Sequence, residues 1–171
     1  KNMKPVDVLQ KEHGIIKKMA IKTGEIAAGI EDPGDVNPET LAKLHDFFLN
    51  FADKCHHAKE EDELFPQLRE KDVDPTIIDL LVKQHEEGRI LLAGVKRELE
   101  AFKSDDKKAD LDALSQYLQE YKKLMARHIA TENKYLWTKA RKALSADEKT
   151  NLSEAFHRIE TVKLGKGFHE K

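Results

Sequence analysis

One cysteine, Cys55, is all that the 171 residues contain, so no disulfide can form within the chain. Apolar runs long enough to span a bilayer are missing. The first residues, Lys1-Asn2-Met3-Lys4-Pro5, have no apolar core of the kind a secretory signal needs. Charge of one sign is lacking too: Lys+Arg at 30 against Asp+Glu at 32 leave a formal net charge of -2. Such a balance attracts neither nucleic acid nor an anionic membrane surface. Strand-like alternation of apolar and polar residues is also absent. These absences leave the expectation of a single all-α domain over 1–171, with one buried core and a reducing, cytoplasmic setting.

What the chain does have is helical periodicity. Val6, Leu9, His13, Ile16, Ala20, Thr23, Ala27 and Ile30 recur by threes and fours, with a histidine inside the apolar stripe. Asp32-Pro33-Gly34-Asp35 breaks that helix, and Asn37-Pro38 opens a second as N-cap and first-turn proline, running to about Lys71. Asp74-Pro75 repeats the start signal ahead of Ile78, Leu81, His85, Gly88, Leu92, Val95, Leu99 and Phe102. After the polar connection Ser104 to Lys108, the stripe resumes at Leu111, Leu114, Leu118, Tyr121, Met125, His128, Glu132, Tyr135 and Lys139. Ser145-Ala146-Asp147-Glu148 reads as a capping box for a shorter fifth helix, with Leu152, Phe156, Ile159 and Val162 on one side. Short connections force neighbouring long helices antiparallel, which predicts an up-down-up-down four-helix bundle over about 6–143. The fifth helix, about 146–163, is expected across one end or side, and the tail Gly165 to Glu170 is left unassigned.

Two stretches nearly repeat each other. His56-His57-Ala58-Lys59-Glu60 leads to Leu64-Phe65, and His128-Ile129-Ala130-Thr131-Glu132 leads to Leu136-Trp137. Four residues are one helical turn, so each histidine and its glutamate face the same way and can close on one metal ion. His13 and His85 lie early in their helices, His56 and His128 late, so an alternating bundle collects all four toward one end. Six buried donors without a cation would be costly. A nitrogen and carboxylate set without thiolate suits iron, manganese or zinc. The rival pairing His57/Glu61 is set aside on two grounds. The repeat aligns Phe65 with Trp137, and at about 100° per residue His57 points nearly opposite the stripe Phe48, Ala52, Cys55. His57 and Glu61 are therefore expected at the surface or behind the ligands.

A histidine in the first helix, His-x-x-x-Glu followed by Leu-Phe-Pro, the run Gln84-His85-Glu86-Glu87-Gly88-Arg89, and His128-Ile129-x-x-Glu132-Asn133 together resemble the hemerythrin-like (HHE cation-binding) domain, over about Val6 to Ala143. The resemblance implies a di-iron site ligated by His13, His56, Glu60, His85, His128 and Glu132, with the glutamates bridging. An oxo, hydroxo or water bridge completes it, and manganese or zinc are the alternative metals. Oxygen-carrying hemerythrins have a further histidine where this chain has Arg89. The resemblance therefore implies an additional open position on the iron beside the third helix, suited to O2, NO or peroxide rather than to reversible oxygen carriage.

Remaining residues invite plainer readings. His45 lies about three turns before His56, too far to ligate, and is expected to make a hydrogen bond. Tyr121 and Cys55 read as core, and His157 and His169 as structural or exposed. Gly88 either leaves room for a diatomic ligand or permits close helix packing. The Glu154-x-x-His157 match to ferritin-like sites stands alone, and His85-Glu86-Glu87-Gly88-Arg89 fails the zinc-protease pattern. The expected role is binding of, or reaction with, a small diatomic or peroxide ligand. The rivals are an iron-handling enzyme (ferroxidase, peroxidase or iron-sulfur repair) and a metal-dependent sensor whose fifth helix meets a partner.

Overall fold

Prolines and short polar side chains set the helix starts. The computed structural model describes residues 3–104 and 110–164, so the tail beyond 164, with His169, lies outside the described residues, as does most of the connection from Ser104 to Lys108. Among the described residues, helix α1 spans Pro5–Ala28, α2 spans 38–70, α3 spans Pro75–Lys103, α4 spans 111–143 and α5 spans Ala146–Leu164, with no strand. Asn37 caps α2 by accepting the Thr40 N–H at 3.1 Å. Asp110 does the same for α4 through Ala113, at 3.0 Å. The capping box at α5 is reciprocal: Ser145 Oγ accepts the Glu148 N–H, and Glu148 Oε2 accepts the Ser145 N–H.

Asp74 departs from expectation. Its backbone is left-handed, at φ 44°, and its side chain caps nothing. The carboxylate takes an ammonium from Lys139 of α4 instead, which ties the start of α3 to its neighbour.

Neither α2 nor α4 is regular throughout. The stretches Phe47–His57, Lys59–Leu64 and Glu132–Leu136 are wound wide, as π-helix. Ala58 donates to the Asp53 carbonyl, Phe65 to that of Glu60 and Trp137 to that of Glu132, each five residues back. Pro66 explains the break near Phe65, because its ring crowds the carbonyl four residues earlier and it has no N–H to give. The wide turns rotate less per residue than a uniform helix, and this shifts which residues face inward. In α4 the buried positions beyond Glu132 become Leu136, Trp137 and Ala140, while Tyr135 is 44% exposed.

The core is stacked in apolar layers. Ala27, Leu41, Leu44, Val95, Leu99, Leu114 and Leu118 fill the far end. Ile16, Ala20, Phe48, Phe51, Leu92, Tyr121, Leu124 and Met125 form the middle. Val6, Leu9, Leu64, Phe65, Leu68, Leu81, Leu136 and Trp137 form the near layer, to which α5 adds Leu152 and Phe156. Helix α5 packs along the wide part of α2 and against α1. A polar layer runs between the near and middle layers.

Candidate metal centre

The polar layer is built by one pattern used twice. Glu12-His13 of α1 corresponds to Gln84-His85 of α3, and His56, Glu60 and Glu61 of α2 correspond to His128, Glu132 and Asn133 of α4, all at the same offset along the chain. A wide stretch begins at or just before each glutamate, at Lys59 in α2 and at Glu132 in α4, and α2 has a further one ahead of it at Phe47–His57. The first half supplies His13 and His56, the second His85 and His128, and both glutamates lie between them.

The six residues singled out by the sequence meet there. Glu132 Oε2 is 3.4 Å from His13 Nε2, and its Oε1 touches His128 Nε2. Glu60 Oε1 is 3.1 Å from His56 Nε2, while its Oε2 is 3.1 Å from His85 Nε2 and 3.9 Å from His128 Nε2. Donor atoms of His13, His56, Glu60 and Glu132 all lie within 4.8 Å of one another, and so do those of Glu60, His85, His128 and Glu132. Each glutamate therefore belongs to two four-donor groups.

Behind the inward nitrogens sits a supporting set. His13 Nδ1 pairs with Asn133 Oδ1 at 3.1 Å, which also accepts the Trp137 indole N–H. His56 Nδ1 pairs with Glu12 Oε1 at 3.2 Å, and His128 Nδ1 with Gln84 Oε1 at 2.9 Å; these two pairs span the same 44 residues. His85 Nδ1 lies 3.6 Å from Glu61 Oε2. Oxygens behind Nδ1 of His13, His56 and His128 turn Nε2 toward the donor layer, which is how metal-binding imidazoles are normally held, whereas His85 Nδ1 has no hydrogen bond and its Nε2 pairs with His128 Nε2 at 3.1 Å.

The fit to a cation can be judged from the donors alone. His13 Nε2, His56 Nε2 and all four oxygens of Glu60 and Glu132 are buried and have no hydrogen-bond partner. Their contacts are close enough for ion pairs but badly aligned for hydrogen bonds. Both glutamates are 0% exposed. Two carboxylates facing each other in an apolar interior are strongly unfavourable unless positive charge lies between them. Metal ions supply that charge, and the donor set suits them.

Protonation partly relieves the same strain. Burial disfavours a charge on His56, yet Glu60 and Glu12 push its pKa up to about 10. Burial likewise works against Glu132, but His128 and His13 hold it well below the ordinary carboxylate range. His85 goes the other way, pushed far below the usual imidazole range by burial and by the neighbouring His57.

Some sequence expectations need correction. His57 is not at the surface: it is 3% exposed, and its ring stacks on His85 at 3.8 Å between centroids and 19° between planes. The projection at 100° per residue failed because α2 is wound wide through this stretch. Glu61 is half-buried behind His85, where Arg89 bonds it and Asp53. A Cβ at Gly88 would meet the Tyr121 ring at 3.4 Å, an ordinary van der Waals contact, so the packing there does not itself demand glycine. His45 makes a hydrogen bond as expected, donating Nε2–H to the Leu92 carbonyl at 3.1 Å. Burial pushes the Cys55 thiol up to about 12, which leaves it unreactive as a nucleophile.

Sequence reading missed Lys59. It is 0% exposed, and its ammonium meets Glu12 Oε2 at 2.9 Å and Glu160 Oε1 of α5 at 2.6 Å. The signal available was its place one residue before Glu60, on the side of α2 that the fifth helix covers.

Comparison with known proteins agrees with this layer. Two curated relatives are similar to the chain: the uncharacterized proteins Mb2018 of Mycobacterium bovis and Rv1995 of Mycobacterium tuberculosis. Each is 26% identical over 157 residues, covering 92% of this chain and 61% of the relative, so the chain spans less than two thirds of their length. No solved structure matches. The family model described as the hemerythrin HHE cation binding domain matches residues 4–140 and again 76–159, the second match beginning near the repeat of the first half's pattern. The chain belongs to the hemerythrin HHE cation-binding family.

Proposed function

We propose that this protein is a non-haem di-iron protein that binds, or reacts with, small oxygen or nitrogen species such as O2, NO or peroxide. One observation carries the reading: the carboxylate oxygens of Glu60 and Glu132 and the inward nitrogens of His13 and His56 are buried together with no hydrogen-bond partner. His13, His56, Glu60 and Glu132 would hold one metal, and His85 and His128 with the same glutamates the other. A pair of iron ions bound there supplies Lewis acidity and one-electron redox chemistry.

The chain's own residues do the rest. Asn133, Glu12 and Gln84 hold three imidazoles in the tautomer that turns Nε2 inward. Leu9, Phe65 and Trp137 on one side and Ile16, Tyr121 and Met125 on the other keep bulk water and large substrates from the donors. An apolar surround of this kind favours small neutral reactants over ions.

A second reading, as a metal-dependent sensor, is favoured by the path from His56 through Glu12 and Lys59 to Glu160. That path joins the donor layer to the outermost helix. Steady turnover of ferrous iron or peroxide would instead mark an iron-handling enzyme. The deciding experiment is elemental analysis of untagged protein, with optical spectra before and after air, NO or peroxide. About two irons per chain and a spectrum that responds to one of these are expected. Protein that stays iron-free after anaerobic loading with ferrous salt would refute the proposal.

A further inference from the structure

One of the buried places at which the two halves of the polar layer differ adjoins the donors themselves. Where the second half has Ile129, 5% exposed and packed in the middle apolar layer, the first has His57, 3% exposed. An aliphatic side chain closes the core at that place in α4, so packing alone does not call for an imidazole. His57 does not lie with the first half's histidines in the donor groups. A ring nitrogen of His57 lies within 4.8 Å of one from each of His85 and His128. Its ring is stacked on His85 and stands 5.4 Å from His128 at 73°.

His57 has no place in the supporting set behind the other imidazoles. Its Nδ1 is buried with no hydrogen-bond partner, the nearest carboxylate being Asp53 at 3.5 Å. Asp53 is taken by Arg89, whose Nε donates to it at 2.9 Å. Arg89 lies one turn after His85 on α3 and reaches outward to Asp53 and Glu61, so that turn of α3 offers the second half no further donor.

We propose that His57 is a seventh metal ligand, supplied by α2 to the metal that His85 and His128 hold. The proposal rests on the di-metal reading above and makes the two positions unequal. One has four protein donors, His13, His56, Glu60 and Glu132. The other has five: His57, His85, His128, Glu60 and Glu132. The five-donor position fills first, and a small external ligand finds more room beside His13 and His56. That reverses the expectation, drawn from Arg89, that the vacancy lies beside the third helix.

Cobalt(II) titration of the metal-free 171-residue chain tests this, followed by its visible absorption and by proton NMR. Wild type is expected to take up two metals in two phases. His57→Ala weakens the tighter phase by about tenfold or more and leaves the other unchanged, and added imidazole restores it. Paramagnetically shifted imidazole N–H signals in wild type should number one per ligating histidine, five with His57 and four without it. The count needs no variant, so it decides the matter even if His57→Ala folds poorly. Two metals bound with four such signals, or with both phases unaltered in a folded His57→Ala, would overturn the role of His57 and leave the di-metal reading standing. Failure of wild type to bind two metals would overturn both.

Discussion

The α1–α2 half and the α3–α4 half lay down the same histidine and glutamate pattern, but their supporting residues have diverged. Behind His128 stands the neutral amide of Gln84; behind His56 stands the carboxylate of Glu12. A buried carboxylate needs a cation, and the first half supplies Lys59 where the second has Thr131. Lys59 in turn draws in Glu160, so among the described residues the ion pairs that hold α5 go to the first half. A shared geometry can thus hold two positions with different surroundings. A carboxylate behind an imidazole makes it a stronger donor than an amide does.

Removing what the halves share should have the largest effect. Glu60→Ala and Glu132→Ala should each lose most of both metals, since each glutamate lies in both donor groups, whereas Glu61→Ala should keep them; elemental analysis gives the answer. Loss of a single metal in either variant would mean that the glutamates serve separate positions. Next comes the contrast between Glu12 and Gln84. Lys59→Met strands a buried carboxylate and should destabilise the metal-free protein by about 3–5 kcal/mol in urea denaturation. Adding Glu12→Gln, which copies the second half, should recover most of that loss.

Acid provides a third probe. His56 and His128 have raised pKa values in the metal-free protein, both with burial opposing; Glu60 and Glu12 act on the first and Glu132 on the second. Metal must displace those protons, so binding near pH 7 should release protons into weakly buffered indicator solution, and affinity should fall as pH drops toward 5. Rising affinity on acidification would contradict the assignment. Smallest of all, Trp137→Phe makes the second half resemble Phe65 in the first. It removes the indole bond to Asn133 and some buried ring volume beside His13, so it should cost about 2 kcal/mol and leave metal content unchanged.

Much of this was legible in the residues. Stripes at threes and fours located the helices, Asn37 and Ser145 marked two starts, and the His-x-x-x-Glu repeats named donors that the fold brings together. His57, Tyr135 and Lys139 were misread for one reason: periodicity assumes a constant rotation per residue, and α2 and α4 abandon it near the glutamates. Pro66 was a visible warning on α2, but α4 widens without any such residue. Lys59 escaped because its burial depends on α5, packed against α2 from far along the chain. Asp74 escaped because its partner, Lys139, is likewise remote in sequence.

The lysine inside α2 has a consequence for where the protein can be cut. A fragment ending after Ala143 would keep every residue of the donor layer yet lose one of the two counter-anions of an ammonium that water does not reach. Solvent would then enter beside Lys59 and travel toward His56. The last helix is better regarded as the stopper of the vessel than as an appendage, and trimming it would spoil the contents before it spoiled the walls.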